Sequence, residues 1–274
     1  MNLSLSSDSV LVTGGNRGLG RAIALAFAAE GARVAICGRD LVALEATAVE
    51  LRALGAQCLA VRADLSQAGE CERTVNAAAA AFGSLTVLVN NAAMSVDQIP
   101  AHLEDVTDMQ AMERVNGKMM PALRCSRAAI AHMKRAGRGR IINIGGTSAR
   151  NVFREGELPG KGSGLPQGLG NAAVSSLSKY LSEELVAYNI MVNVVHPHIV
   201  RTGRHTSRVQ ATARERGISE QEADAAIGAR VPLGRIIEVD DIAPLVLFLA
   251  SPLANAITGQ SISIDGGASR TVLL

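Results

Sequence analysis

Short apolar runs alternate with amphipathic segments along most of the chain. Seven runs rich in β-branched and apolar residues predict strands at Val10–Thr13, Arg33–Cys37, Cys58–Arg62, Leu85–Val89, Arg140–Ile144, Met191–Val195 and Ser261–Ile264. The segments between them have helical apolar spacing, as at Leu41–Leu54, where apolar residues recur at i, i+3 and i+4. Strands that alternate with helices in this way form a parallel sheet with helices on both faces. The pattern predicts a doubly wound α/β fold with a mainly parallel, seven-stranded sheet.

Two segments break this alternation, and we predict mobile loops there, at about residues 150–170 and 203–231. Residues 156–170 hold six glycines and two prolines, too many for a regular element. Residues 203–231 are polar and partly helical, with Ser219 and Glu222 spaced as a capping box. Both segments follow strands of a parallel sheet, where ligands bind in α/β folds. No repeat or linker divides the chain, so we expect one domain over residues 1–274.

Composition narrows the classes of partner. With 27 basic and 25 acidic residues, the net charge of +2 gives no electrostatic reason to expect a nucleic acid or a membrane surface. Aromatic residues make up only 2% of the chain, so stacking on bases is excluded and a small-molecule substrate is expected. The four cysteines are scattered, without metal-ligand spacing, which favours free thiols in a reducing compartment. We find no leader and no apolar stretch long enough to span a bilayer, and we expect a cytoplasmic protein without a metal site.

A glycine-rich segment follows the first predicted strand and opens a helix. It reads Thr13-Gly-Gly-Asn-Arg-Gly-Leu-Gly20. Glycines at such a place form a tight turn in which backbone amides and the helix amino terminus meet a pyrophosphate. The segment predicts a dinucleotide site.

The spacing of Gly14, Gly18 and Gly20 resembles that of the short-chain dehydrogenase/reductase family, and other landmarks of that family follow over residues 9–267. They are Asp64, Asn90-Asn91-Ala92-Ala93, Pro197 with Thr202, Pro232-Leu-Gly-Arg235, Asp241-Ile-Ala243, Phe248-Leu-Ala-Ser251, and Ile257-Thr-Gly-Gln260 through Asp265-Gly-Gly267. Ala93 and His198 stand where the family has glycine. The resemblance implies a Rossmann-type fold. It implies cofactor contacts from Gly14, Asn16, Arg17, Gly18, Leu19, Gly20, Arg39, Asp64, Leu65, Asn91, Ala92, Pro197 and Thr202.

The end of the second strand selects between the two nicotinamide cofactors. A carboxylate there binds the free ribose 2′-hydroxyl, whereas an arginine accepts a 2′-phosphate. The family's acidic position is Gly38, followed by Arg39, and Arg17 lies in the glycine loop. Guanidinium groups suit planar, bidentate binding of a phosphate. We therefore expect NADP(H); the alternative is that Arg39 only caps a loop and pairs with Asp40.

The catalytic set of the family is an Asn, a Ser, a Tyr and a Lys, and three of the four are absent here. The only tyrosines, Tyr180 and Tyr188, do not start a Tyr-x-x-x-Lys motif. Alignment of the flanking segments places Gly146 at the serine, Gln167 at the tyrosine and Asn171 at the lysine. Val115-Asn116 resembles the family's Val-Asn pair, so Asn116 is the expected catalytic asparagine.

Other groups near the predicted strand ends could complete a proton relay with Asn116, Gln167 and Asn171. Ser148 and Thr147 lie just past the lost serine, unless they only form a turn. His198 follows the sixth strand and could act as acid or base near neutral pH, unless it is a surface histidine. We expect His196 to be buried and structural, and Lys161 and His205 to be solvated.

Three functions remain open. The first is an NADP(H)-dependent oxidoreductase with a substituted proton relay, acting on a small carbonyl or alcohol, an imine or an activated alkene. The second is a lyase, isomerase or dehydratase on the same scaffold. The third is a silent subunit that pairs with an active relative. The resemblance implies a homodimer or homotetramer built by the helices near 115–135 and 172–188, or a hetero-oligomer with an active member of the family.

Overall fold

A computed structural model describes residues 2–93, 102–152 and 164–270. Strands and helices alternate through these residues as the apolar pattern predicts. In chain order they are β1 Ser9–Thr13, α1 Gly18–Ala29, β2 Arg33–Gly38, α2 Leu41–Ala53, β3 Cys58–Arg62, α3 Ala68–Phe82, β4 Val87–Asn90, α4 Asp108–Ala136, β5 Gly139–Ile144, α5 Leu165–Leu185, β6 Ile190–Pro197, α6 Gly203–Arg216, α7 Glu220–Gly228, α8 Val239–Ala250 and β7 Ser261–Ile264.

The sheet has seven strands in the order β3-β2-β1-β4-β5-β6-β7, and every pairing is parallel. This confirms the predicted doubly wound α/β fold. Strand order reverses between β1 and β4, which leaves a crevice at their carboxyl ends. Open α/β sheets bind ligands in such a crevice.

Apolar side chains cover both faces of the sheet. Val10 and Val12 of β1 pack on one side with Phe27 of α1, while Leu11 packs on the other with Met133 of α4. All of these side chains are fully buried. Successive side chains of a strand point to opposite faces, so a run that is apolar at every position requires helices on both sides.

Helix α5 begins at Leu165, earlier than the glycine content suggests. Pro166 lies in its first turn, where the missing N–H costs nothing. Gly170 is required by packing, because a Cβ there would lie 2.8 Å from the carbonyl oxygen of Arg114 in α4. Residues 165–170 are therefore the start of a helix and not a loop; residues 153–163, including Lys161, lie outside the described residues.

Residues 203–228 form two helices where we predicted a mobile loop. The predicted capping box of Ser219 and Glu222 starts α7. Asp224 of α7 joins this pair of helices to the chain before α6: its carboxylate accepts hydrogen bonds from Arg201 at 2.9 Å and from Nε2 of His205 at 2.7 Å. His205 is buried, not solvated as expected. A small apolar cluster that includes Val209 and Ile227, together with this side-chain pairing, thus orders a segment whose polar sequence resembles a loop.

Candidate active site

The glycine turn between β1 and α1 is fixed by its contacts with β4. Gly14 and Gly18 both have positive φ angles, of 65° and 55°, which favour glycine. The Asn91 side chain donates to the carbonyl oxygen of Thr13 at 3.0 Å, and the hydroxyl of Thr13 accepts the amides of Asn91 and Ala92 at 3.0 Å. Helix α1 starts after Arg17 without a side-chain cap. Its amino-terminal N–H groups thus open onto the crevice, as a pyrophosphate requires.

The position at the end of β2 that selects the cofactor is a glycine packed against the Asn16 side chain. The side chain of Asn16 lies against Gly38, where a Cβ would be 2.6 Å from its Oδ1 atom. Arg39 and Arg17 are exposed and form no ion pair with any residue the structure describes. Asp40 instead caps α2 through the amide of Ala43 at 3.1 Å. The residues present fit a dinucleotide with a 2′-phosphate.

The remaining predicted cofactor residues lie at the carboxyl ends of their strands. Asp64 follows β3, where its carboxylate accepts the amide of Ser66 at 3.1 Å, and Leu65 is buried beside it. Pro197 ends β6, and Thr202 precedes α6 in an extended conformation. A Cβ on Gly18 would lie 3.5 Å from the Thr202 side chain, so the start of α6 meets the start of α1.

Gly146 and Asn171 are packed against each other. A Cβ on Gly146 would lie 2.7 Å from Nδ2 of Asn171, which is itself buried. A serine therefore does not fit at residue 146 while Asn171 keeps its place. The residue types at these two positions are physically linked.

Asn171 lies in the middle of a hydrogen-bond chain that ends at Ser148. Lys118 of α4 donates to Oδ1 of Asn171 at 2.5 Å and to the carbonyl oxygen of Gly145 at 2.8 Å. Nδ2 of Asn171 donates to the hydroxyl oxygen of Ser148 at 2.8 Å. The side-chain amino group of a lysine thus reaches this place from α4.

The environment of Lys118 favours its neutral form. Burial lowers the pKa of this lysine to about 7, and the positive charges of Arg204 and Arg114 act in the same direction. Lys118 can therefore exchange a proton near neutral pH, which an ordinary lysine with a pKa near 10.4 cannot.

Two histidines lie at the end of β6, and their surroundings differ. His196, the last residue but one of the strand, is fully buried: Nδ1 accepts the amide of Gly146 at 2.9 Å, and Nε2 lies 2.9 Å from the hydroxyl of Ser261. His196 is thus buried and hydrogen-bonded, as predicted, and burial lowers its pKa to about 4. Nδ1 of His198 lies 3.0 Å from the hydroxyl of Thr147, and burial also lowers the pKa of His198.

Asn116 and Gln167 are placed differently from Ser148 and Asn171. Asn116 is exposed on α4, in a stripe with Met109 and Met112 that faces away from the sheet. Gln167 lies partly buried in the first turns of α5. Sequence analysis missed Lys118, two residues after Asn116. Its only signal was a lysine on the helix expected to carry the catalytic asparagine.

The described residues hold neither a cluster of metal-ligating side chains nor a membrane-spanning helix. Within them, no group of three or more His, Cys, Asp or Glu side chains could hold a metal ion. None of the helices in residues 2–93, 102–152 and 164–270 is long and apolar enough to cross a membrane. The four cysteines are free thiols.

Comparison with known proteins agrees with this arrangement. Residues 14–269 match a family model described as enoyl-(acyl carrier protein) reductase. The chain is 34% identical to a sorbitol dehydrogenase of Cereibacter sphaeroides, over 97% of this chain and 98% of that protein. It is 33% identical to a galactitol 2-dehydrogenase of Agrobacterium fabrum, again over 97% and 98%.

A solved structure gives the same result at the level of the fold. A variant of the actinorhodin polyketide ketoreductase with NADPH is 29% identical, with a TM-score of 0.86 over 97% of this chain and 99% of that one. Glycine turn, sheet order, full-length relatives and family model all agree. The chain belongs to the short-chain dehydrogenase/reductase family of oxidoreductases.

Proposed function

We propose that this protein is an NADP(H)-dependent oxidoreductase that interconverts a small carbonyl compound and its alcohol through a substituted proton relay. The observation that carries the proposal is the chain Lys118–Asn171–Ser148, at the carboxyl end of β5. β5 pairs with β4, whose own end holds the Asn91 contacts of the glycine turn. The relay and the dinucleotide site therefore lie at the carboxyl ends of neighbouring strands. Relatives named as sorbitol dehydrogenase and galactitol 2-dehydrogenase support a polyol or ketone substrate.

NADPH, when bound, supplies a hydride to the carbonyl carbon. The hydroxyl oxygen of Ser148 accepts from Asn171, so its own proton is available to a substrate oxygen at that place. Two N–H groups of Lys118 bind Gly145 and Asn171, which leaves the third for water. In this scheme Ser148 polarises the carbonyl, and Lys118 delivers the proton through that water. The residues Asn116 and His198 have no step in it.

The test is oxidation of NADPH by the purified protein with a panel of ketones and keto-sugars, followed at 340 nm. Ser148→Ala is expected to lower kcat/KM by about 10²–10⁴-fold if this hydroxyl assists the reaction. Ser84→Ala is the matched control, since the Ser84 hydroxyl forms a hydrogen bond with that of Ser9 at the amino-terminal end of β1, away from the site. Tight binding of NADPH with no turnover would instead favour a silent subunit, and product formed without net NADPH consumption a non-redox enzyme.

Cofactor choice has its own test. Arg39→Gln is expected to weaken NADPH binding by about 10–100-fold, because hydrogen bonds to charged groups contribute about 1.5–3 kcal/mol. NADH binding should change little. Gly38→Asp alone should not create an NADH enzyme, since its Cβ would meet Asn16. An equal loss of affinity for NADPH and for NADH in Arg39→Gln would contradict the assignment of the 2′-phosphate to this residue.

We also propose that the chain assembles with copies of itself through α4 and α5. The outward face of α5 carries an apolar stripe, with Leu165, Leu169 and Tyr180 all exposed. Met109 and Met112 are exposed on α4, which packs against α5 through Gly170. Exposed apolar side chains grouped on two adjacent helices are typical of an interface.

A further inference from the structure

Four cationic side chains lie on two helices beside the candidate active site: α4, which supplies Lys118 to it, and α6, whose start meets the cofactor turn. Arg114 and Lys118 are four residues apart on α4, and Arg204 and Arg208 are four residues apart on α6. Residues at this spacing share one face of a helix. We refer to these four residues as the cationic cluster.

Electrostatic effects tie the two pairs together. Besides burial, the charge of Arg204 lowers the pKa of Lys118, of Arg114 and of Arg208. Arg204 therefore lies within electrostatic reach of the other three. Its position at the start of α6 is fixed by Thr202, which lies against Gly18 of the cofactor turn.

Arg204 and Arg208 of the cationic cluster differ from Arg201, the arginine just before α6. Arg201 forms ion pairs with Asp224 at 2.9 Å and with Glu238 at 2.7 Å. Arg204 and Arg208 have no ion pair or hydrogen bond with any residue in the described ranges, although Arg208 is partly buried. The charges that lower the pKa of Lys118 and of Arg208 are positive ones.

This arrangement works against the stability of the fold. Arg204 lies in the first turn of α6, where the helix dipole disfavours a positive charge and where no acidic residue compensates it. Like charges four residues apart repel each other, and both pairs of the cluster have this spacing. An anion placed between the helices would relieve both effects.

Resting on the function proposed above, we propose that the natural substrate is an anion: a carbonyl compound whose oxyanion group, carboxylate or phosphate, is held by Arg204 and Arg208. Guanidinium groups bind both oxyanions in a bidentate manner. The anionic end is then anchored on α6 while the carbonyl oxygen lies at Ser148. Orientation by a remote charge of this kind contributes to catalysis by fixing the reacting atoms.

The experiment compares charged and neutral forms of the same carbonyl compound. Levulinate is paired with methyl levulinate, and dihydroxyacetone phosphate with dihydroxyacetone, each at saturating NADPH. Arg204→Gln and Arg208→Gln are measured beside Arg216→Gln, an exposed arginine at the far end of α6 that loses the same charge. The two members of each pair separate the charged from the neutral compound, and comparison of the two pairs separates carboxylate from phosphate as the preferred group.

We expect Arg204→Gln and Arg208→Gln each to lower kcat/KM for the preferred anion by about 10-fold or more, chiefly through KM, because a charge-assisted hydrogen bond is lost. The neutral partner and Arg216→Gln should change by less than about 3-fold. Without ligand, Arg204→Gln should raise Tm by about 1–3 °C, since it removes an unfavourable charge from the helix start. A merely structural arginine would lower Tm instead.

Two results would overturn the proposal. One is an equal loss of kcat/KM for the charged and the neutral substrate. The other is weaker binding of NADPH in both Arg204→Gln and Arg208→Gln, which would assign these arginines to the cofactor. If no carbonyl compound is turned over at all, the proposed function fails. The anion site is then decided by binding alone: Tm must rise with levulinate or dihydroxyacetone phosphate in the wild type and not in Arg204→Gln, and its failure to do so counts against the site.

Discussion

At the scale of single residues, Gly146 and Asn171 depend on each other. Gly146 leaves room for Nδ2 of Asn171, and Asn171 bridges Lys118 and Ser148. Helix α4 thus supplies a lysine amino group to this site. Each of these positions constrains the others, so a side chain at residue 146 should harm the protein.

The variant Gly146→Ser tests this coupling. Its Cβ would lie 2.7 Å from Nδ2 of Asn171, whose side chain is held by two hydrogen bonds. We expect a loss of about 1–3 kcal/mol in the free energy of unfolding, typical of overpacking. Asn171→Ala should relieve the clash, so the double variant should be more stable than the sum of the single changes predicts. Urea denaturation measures all three variants, with Gly69→Ser as control because its Cβ would meet nothing within 4 Å. Strict additivity would contradict the coupling.

The titration of Lys118 gives a pH dependence of activity. Burial and the neighbouring arginines lower its pKa to about 7, and carbonyl reduction consumes the protonated form. The rate of reduction should therefore fall as pH rises through about 7, whereas alcohol oxidation should rise. Lys118→Met should lower both rates by about 10²–10⁴-fold. Lys118→Arg keeps the charge without titrating, so its residual rate should be flat between pH 6 and 9. A wild-type profile retained in Lys118→Arg would remove this residue from the relay.

The same titration of Lys118 should make the folded protein more stable as pH rises, whereas the rate of reduction falls. The pKa of Lys118 is about 7 in the folded protein and about 10.4 in the unfolded chain, so the unfolded state binds more protons between these values. Stability therefore rises with pH across that window. Thermal unfolding from pH 6 to 10 should show this rise in wild type and in the exposed-lysine control Lys179→Met, but less of it in Lys118→Met.

At the scale of elements, α6 and α7 are placed by one carboxylate. Asp224 binds Arg201 and the buried His205, and Arg201 also binds Glu238 before α8. Because α6 carries Arg204 and Arg208, this contact positions the proposed anion site as well as the fold. The polar sequence of 203–231 resembles a loop, and it forms helices because Val209 and Ala213 of α6 pack with Ala223 and Ile227 of α7 in a small apolar cluster, to which the ion pairs of Asp224 add.

Asp224→Asn is expected to loosen this pair of helices. Loss of the charge-assisted hydrogen bonds should cost about 1–3 kcal/mol at neutral pH and increase hydrogen exchange in α6 and α7. Arg201 and His205 lower the pKa of Asp224, so its contribution is present above the unfolded-state pKa of about 3.9 and is lost as pH falls through the folded value. The difference from wild type should therefore shrink in acid. Glu220→Gln, in the exposed first turn of α7, is the control. A difference that stays constant down to low pH would show that Asp224 does not act through its charge.

At the scale of the whole molecule, sequence patterns predicted the sheet better than the site. All seven strands were found because parallel strands covered on both faces are apolar at nearly every position. The start of α5 was missed because its glycines serve close helix packing against Arg114, which no local rule detects. Lys118 was missed for a related reason: its contact with Asn171 joins two helices that are distant in the chain. The glycine turn was predictable because its chemistry is contained in eight consecutive residues, Thr13 to Gly20.

Assembly is the last property that belongs to this scale, and it decides whether the chain acts alone. Leu169 is 39% exposed and Tyr180 71% exposed on the outward stripe of α5. We expect a homodimer or homotetramer by light scattering after size exclusion. Leu169→Glu with Tyr180→Glu should shift it to a monomer, since burying unpaired carboxylates costs far more than exposing two apolar side chains. The control Val42→Glu, at an 82% exposed site on α2, should leave the assembly unchanged. A wild type that stays monomeric at micromolar concentration would contradict the prediction, and a monomer that gains activity only with a relative would identify this chain as the silent subunit.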